Sequence, residues 1–347
     1  MEGPNPKNHG LPFTSPWLLA PMEGITEPSF RDLVLTENPP RAEAAPGPGT
    51  GPAPGTERPW LGGAFTEFVR VVTDPLPAWK LREHLGPARF PAPVGLQLMG
   101  SDLSALAATA LRARDAGAPL VDLNFGCPAK GAIADCSGSG MLRDPARLER
   151  TVRAVTEALP GFPVTAKIRA GFADDSRLED LARAAEAGGA WMLTVHCRTR
   201  VEAYCEEVDW GRIARAVAAV RIPVCGNGSV RVHADLERMR RETGARYAMV
   251  GRGALADPWI FGGRAPTRRE AAEFLLGYAG VLRERHGARL SGTAARVKQL
   301  LRYWTAADLL GPDRASWLRE EDPERLFVRL RAAGGVVSPA DSSLASA

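Results

Sequence analysis

Residues 163–196 read PVTAKIRAGFADDSRLEDLARAAEAGGAWMLTVH, and they hold the unit from which the rest of the chain can be read. The run PVTAKI (163–168) is apolar and rich in β-formers. Ser176–Ala187 carries Leu and Ala at helical spacing, and WMLTVH (191–196) is a second apolar run. Two apolar strands joined by an amphipathic helix make a βαβ unit with parallel strands. Comparable runs lie at 17–20, 64–69, 92–99, 120–125, 222–227 and 247–252, which makes eight. Helical spacing recurs between most of them, at Leu103–Ala116, Pro145–Leu159 and His233–Thr243. Eight such units predict an α/β fold, a (β/α)8 TIM barrel.

After Phe261 the pattern turns wholly helical, predicting a small all-helical C-terminal domain. The expected organisation is an N-terminal extension (1–16), a barrel (17–262), the helical domain (263–334) and a frayed tail (335–347). Between the first two strands, residues 37–59 form an insertion. Pro and Gly take 11 of its 21 positions from 39 to 59, a composition that argues against a packed core.

The chain has 347 residues, enough to bury a full barrel core. Five cysteines, with no CxxC pair, fit neither a disulfide framework nor a zinc site, so a reducing cytoplasm is expected. No apolar run is long enough to span a bilayer, and MEGPNPKNHG lacks the regions of a signal peptide. The formal net charge is +4. From Arg264 to Gly334 there are 14 Lys and Arg against 9 Asp and Glu, and residues 1–263 sum to zero. The basic excess therefore lies in the helical segment, which suits a polyanion-binding face or an ordinary solvated surface.

In a (β/α)8 barrel the chemistry sits at the C-terminal ends of the strands. Those positions hold Pro21-Met22-Glu23, Glu67 and Arg70, Gln97, Asn124 and Cys127, Lys167 and Arg169, His196 and Arg198, Asn227-Gly228-Ser229, and Gly251-Arg252-Gly253. Any one has an ordinary structural reading, but an amide, a thiol, an amine and an imidazole converging with two Gly-containing turns point to a site. Glycines after strands seven and eight let backbone N–H groups approach a phosphate, and Arg252 adds a charged fork. Gln97 and Asn124 suit the edge of a flat heterocycle, and Lys167 suits a ring that gains negative charge. FMN meets these requirements, while phosphate plus sugar would satisfy the turns alone.

The chain resembles the tRNA-dihydrouridine synthases, flavoenzymes that reduce the uracil C5=C6 bond in tRNA. The stretches that carry the resemblance are LAPMEGITEPSFRDLV (19–34), LNFGCPAK (123–130), AKIRAGF (166–172), VHCRTRVEAYCEEVDW (195–210), CGNGSV (225–230) and VGRGALADPWIF (250–261). TEFVRVV (66–72) and ARVKQLLRYW (295–304) are most similar to the bacterial C-type subfamily, which modifies position 16 of the D-loop. The resemblance implies FMN held by Pro21, Met22, Glu23, Gln97, Lys167, His196, Asn227, Gly228, Ser229, Gly251 and Arg252, with NADPH as reductant. It implies Cys127 as the proton donor, and Arg70, Asn124, Tyr204, Arg296, Lys298 and Tyr303 facing tRNA. A monomer without metal, not bound to a membrane, is expected. Three features depart from the family pattern: Cys197 stands where Gly is usual, Ile133-Ala134 replace Val-Asn, and the 37–59 insertion is unusual.

Hydride delivery to uracil C6 leaves an enolate-like anion that needs a proton at C5. A thiol that is mostly protonated at neutral pH can supply it, so Cys127 reads as a general acid. Cys136, in the Gly/Ser-rich DCSGSG loop expected to close over the base, is the lesser candidate. The leading alternative is a dihydroorotate-dehydrogenase-like barrel acting on a free pyrimidine, which would have no use for a basic helical domain. A cofactor-free aldolase using Lys167 as Schiff-base nucleophile and a non-catalytic RNA-binding relic are the others.

Overall fold

The computed structural model describes residues 10–38, 61–87, 92–202 and 208–336. The 39–59 insertion, Tyr204 and the tail from 337 lie outside the described residues. Nine strands form one parallel sheet: β1 (Trp17–Leu19), β2 (Leu61–Phe65), β3 (Val69–Val71), β4 (Val94–Gly100), β5 (Val121–Phe125), β6 (Val164–Arg169), β7 (Met192–His196), β8 (Val224–Asn227) and β9 (Tyr247–Val250). Strand β9 returns to β1 and β2 pairs with β4, so the sheet closes as an eight-stranded barrel.

The ninth strand arises because the run expected at 64–69 is split. The Thr66 amide still donates to Gly95 O of β4 at 2.9 Å, but the Gln97 amide donates to the Thr66 side-chain hydroxyl at 3.0 Å. The chain resumes pairing as β3, with Val69 opposite Leu98. The break lets Phe68 pack beside Cys127, Met99 and Ala132.

The strands are buried on both faces, as parallel sheets require, which explains their unbroken apolar runs. One core cluster joins Leu18, Phe65, Leu120, Met192, Cys225, Tyr247 and Met249. The segment before β1 packs against it, with the Phe13 ring 5.9 Å from Phe65 and 5.5 Å from Tyr247. Connecting helices run at Leu103–Asp115, Pro145–Ala158, Leu178–Ala187, Gly211–Ala219 and His233–Thr243. Asp102 and Asp144 cap the first two by accepting from backbone amides.

The chain divides into two compact units. One comprises residues up to Pro28 and Pro39–Gly251, and the other comprises Ser29–Asn38 and Arg252 onward. The helix Pro28–Glu37 therefore belongs with the C-terminal helices Arg268–His286, Leu290–Leu301, Arg314–Arg319 and Pro323–Gly334. Inside this second unit Phe30 meets Phe274 and Tyr278 edge-on, and Trp259 does the same with Phe274 and Trp304. Such pairs add about 0.5–1.5 kcal/mol each beyond area burial. Sequence periodicity could not reveal this grouping, because the partners of Phe30 lie more than two hundred residues away. Among the described residues no helix is long and apolar enough to cross a membrane.

Candidate active site

Strand β5 carries Asp122 inside an otherwise apolar run, fully buried. Its carboxylate accepts from Thr165 Oγ1 at 2.6 Å and from Gln97 Nε2 at 2.6 Å. Gln97 Oε1 in turn accepts from Asn124 Nδ2 at 2.7 Å, and Asn124 Oδ1 accepts from the backbone amides of Gly126 and Cys127, each at 2.9 Å. A carboxylate can only accept, so Asp122 fixes which way the Gln97 amide faces. That in turn fixes Asn124, and through it the turn bearing Cys127. Burial pushes the Asp122 carboxyl up to about 6, against hydrogen bonds from Gln97 and Thr165 that hold it down. Asp122 was not among the sequence candidates. The available signal was one acid at a strand position otherwise reserved for apolar residues.

Cys127 is buried beside Met99 and Ala132. Burial raises its pKa above the ordinary thiol value, outweighing a backbone hydrogen bond and the nearby Arg169 and Arg70 charges that lower it. Cys136 is exposed, at a backbone φ of 52°. In the stretch around it, expected as a Gly/Ser-rich loop, the structure has short helical turns. A helix spans Lys130–Ala134, a 3-10 turn spans Gly138–Arg143, and Gly138–Leu142 are buried. Ser139 N donates to Cys127 O at 3.0 Å, so this turn packs directly on the thiol's own residue.

Parallel register sets the remaining groups side by side. Asn124 pairs with Lys167, Arg169 with His196, and His196 with Asn227. Lys167 forms no hydrogen bond or ion pair among the described residues, and burial lowers its pKa to about 8, Arg169 adding to the shift while Asp122 opposes it. A desolvated cation without a partner is a binding site for an acceptor or an anion. Arg169 clamps the neighbouring turns, with Nε donating to Gly126 O at 2.8 Å and Nη1 to Thr199 O at 3.2 Å. His196 Nδ1 accepts from the Arg198 amide at 3.2 Å.

After β8 the turn Asn227-Gly228-Ser229 has φ of 130° at Gly228 and 52° at Ser229. Asn227 Nδ2 donates to Met249 O at 2.8 Å, tying the turn to β9. Ser229 Oγ accepts from Arg198 Nη2 at 2.8 Å. A β-carbon at Gly228 would lie 2.4 Å from Cys197 Sγ, and Trp210 Nε1 donates to Gly228 O at 3.0 Å. Cys197 is wholly buried with its thiol pushed up to about 11 by burial, which leaves it inert packing beneath this turn. Gly251 ends β9 with Met22 and Ala20 beside it, and Arg252 opens the next helix. Pro21 and Met22 are half-buried and Glu23 is exposed, in a turn held by Met22 N donating to Thr26 Oγ1 at 2.8 Å.

The structure thus gathers Gln97, Asn124, Cys127, Lys167, His196 and Asn227–Ser229 on consecutive strands of the barrel. Gln97 is the most deeply set, with no exposed surface and both amide ends engaged. Arg70 is exposed and ion-paired with Asp135, next to the Cys127 segment. In the second unit, Arg296 is half-buried and donates to Gln299 at 3.3 Å. Lys298 Nζ donates to the backbone carbonyl of Glu320, which occupies its ammonium. Leu300, Leu301 and Trp304 are buried as expected, but the helix ends at Leu301, which leaves Tyr303 exposed in the following turn. Among the described residues no group of three His, Cys, Asp or Glu could hold a metal ion.

The family model described as dihydrouridine synthase matches residues 18–303. The probable tRNA-dihydrouridine synthase of Rhizobium leguminosarum bv. phaseoli is 33% identical over 326 residues, covering 90% of this chain and 93% of that protein. The tRNA-dihydrouridine(16) synthase of Cupriavidus necator is 38% identical over 249 residues, covering 70% of this chain and 71% of that one. The enzyme of the same name from Haemophilus influenzae is 33% identical over 299 residues, covering 82% and 89% respectively.

Proposed function

The chain belongs to the dihydrouridine synthase family, and from that premise we propose that it reduces a D-loop uridine of tRNA, at position 16, to 5,6-dihydrouridine. The observation that carries the reading is the protonated, buried Cys127 one strand away from Lys167, a cation with no partner among the described residues. The first suits a proton donor and the second a flavin.

The residues present fit FMN. The unpartnered Lys167 ammonium asks for an acceptor, and the turn at Gly228 has no room for a side chain and carries positive φ at two successive residues. Asn227–Ser229 with Gly251-Arg252 would hold the phosphate, while Lys167, His196 and Pro21-Met22-Glu23 would border the ring. Gln97 would act from beneath, through Asn124. Bound FMN, reduced by NADPH, supplies the hydride for uracil C6.

The chain's own residues do the rest. Asn124 has one amide hydrogen left after serving Gln97, and it is free to donate to a uracil carbonyl. Cys127 Sγ–H gives its proton to C5, and burial keeps that proton in place until the carbanion forms. The uracil must leave its stack to reach this depth, at a cost on the order of a few kcal/mol. Contacts to the tRNA backbone offset that cost. In this reading the helices beyond residue 263, with Arg296 and Tyr303, provide them along with Arg70 and Tyr204, while Lys298 holds the Glu320 carbonyl. A monomer acting in the cytoplasm completes the proposal.

The test is to incubate the protein with FMN, NADPH and unmodified tRNA, then digest and map the product by mass spectrometry. A mass gain of about two at position 16 is expected. No dihydrouridine anywhere would refute the activity, and a gain elsewhere in the D-loop would refute the position.

A further inference from the structure

Residues 1–263 carry no net charge, yet the acids and bases among them are not evenly matched. Around the loops after β5, β6 and β7 the carboxylates named next, all among the described residues, are already engaged. Asp144 caps a helix by accepting from Arg147 N, and Asp174 accepts from Ser176. Asp175 is held by Arg212 and Arg215, and Glu202 by Arg212 and the Thr199 amide.

Two arginines in the same place have no carboxylate partner among the described residues. The Arg143 guanidinium stacks 3.9 Å from the centre of the Phe172 ring, and Arg200 lies 5.4 Å from the same ring. Among the described residues neither guanidinium donates to a carboxylate or to any other group. The arrangement is held firmly. Arg177 Nη1 donates to Arg143 O at 3.0 Å, and the amides of Arg200 and Val201 donate to the carbonyls of Gly171 and Phe172 at 2.9 and 3.3 Å. At Gly171 a β-carbon would lie 1.8 Å from the Asp174 carbonyl oxygen, so the loop that presents Phe172 has one shape.

We propose that Arg143, Phe172 and Arg200 form a phosphate-binding platform on the catalytic barrel that grips the RNA backbone beside the flipped uridine. The inference rests on the functional reading above. Three consecutive strand-to-helix loops bring these residues to the end of the barrel that holds Cys127, Lys167 and His196. Stacking on a ring fixes a guanidinium in a plane while leaving its N–H edges outward, the fork that matches phosphate oxygens. Little side-chain freedom is then lost when the phosphate binds. The neutrality of the barrel as a whole conceals this local charge, and the helical unit is not the sole holder of tRNA.

The experiment compares the parent protein with Arg143→Gln, Arg200→Gln, their combination and Phe172→Leu. It measures FMN content, melting temperature and binding of an unmodified tRNA transcript across a salt series. The combined variant is expected to bind about ten-fold more weakly at low salt. Its slope of log affinity against log salt should fall by about 1–2, since two fewer phosphates release counterions. Phe172→Leu keeps both charges, so it should weaken binding while retaining the parent slope. Because the arginine changes are also read singly, a folding loss in one leaves the other to decide. Parent affinity and slope in a folded arginine variant overturn the platform. So does a variant in which tRNA binding is untouched while half-maximal flavin reduction needs more NADPH, because the dinucleotide would then be the anion held. A parent that binds tRNA but forms no dihydrouridine overturns the functional reading instead.

Discussion

The sulfur of Cys197 lies 2.4 Å from where a β-carbon on Gly228 would stand, so the two residues on adjacent strand ends fill one space between them. Gly228→Ala should therefore dislodge the turn at Asn227–Ser229, both through this clash and through the φ of 130°. We expect FMN content to fall well below one per chain while the melting temperature drops by only a few degrees. Adding Cys197→Gly removes the sulfur and should restore part of the flavin. Full flavin content in the single variant would show that the turn has no part in binding.

Cys127→Ala should lower dihydrouridine formation by about 10²–10⁴-fold, the range for losing a general acid. Flavin content should be retained. Cys136, exposed and in a left-handed backbone conformation, should tolerate Ala with a change smaller than about three-fold. Nucleoside analysis of product tRNA under single turnover decides between them, and the reverse ranking would reassign the donor.

Burial lowers the Lys167 pKa from its ordinary 10.5 to about 8. Its folded pKa is lowered, so the cation is present below about pH 8 and lost as pH rises through it. Flavin affinity of the stripped protein, followed by fluorescence quenching, should decline above about pH 8. Lys167→Met should bind more weakly throughout and lack that step. An identical pH profile in parent and variant would exclude Lys167 from the flavin site.

In the second unit, Lys298 and Arg296 should separate. The Lys298 ammonium is engaged by the Glu320 carbonyl, so Lys298→Ala should lower the melting temperature by a few degrees. Arg296→Ala should lower the melting temperature less than Lys298→Ala does and weaken tRNA binding about two- to five-fold. The cross-comparison of melting curves and binding isotherms would refute this division if the effects were exchanged.

Eight strands were legible because parallel strands buried on both faces must be apolar throughout, and PVTAKI or WMLTVH can hardly be anything else. The site groups were legible because the fold puts polar strand ends in one place. The split at Thr66 was not, since a hydroxyl standing in for a ladder partner leaves no mark on periodicity. The segment Gly138–Arg143 reads as a loop by its Gly and Ser content, yet it is buried because Cys127 and Ile133 offer it backbone contacts. Asp122 was hidden by its apolar neighbours. Arg143, Phe172 and Arg200 were hidden by summation, because a net charge of zero cannot tell paired acids from unpaired bases.

The placement of Phe30 sets an order on synthesis. The rings that enclose its helix, on Phe274 and Tyr278, are made more than two hundred residues after Phe30 itself. Throughout that interval an apolar helix with Phe30, Val34 and Leu35 on one side has no permanent partner. The nascent chain must carry this hydrophobic surface until residues 274–278 have been made, so over that interval the helix lacks its native seat. A fragment beginning at Arg252 would in turn emerge with the aromatic seat of Phe30 empty.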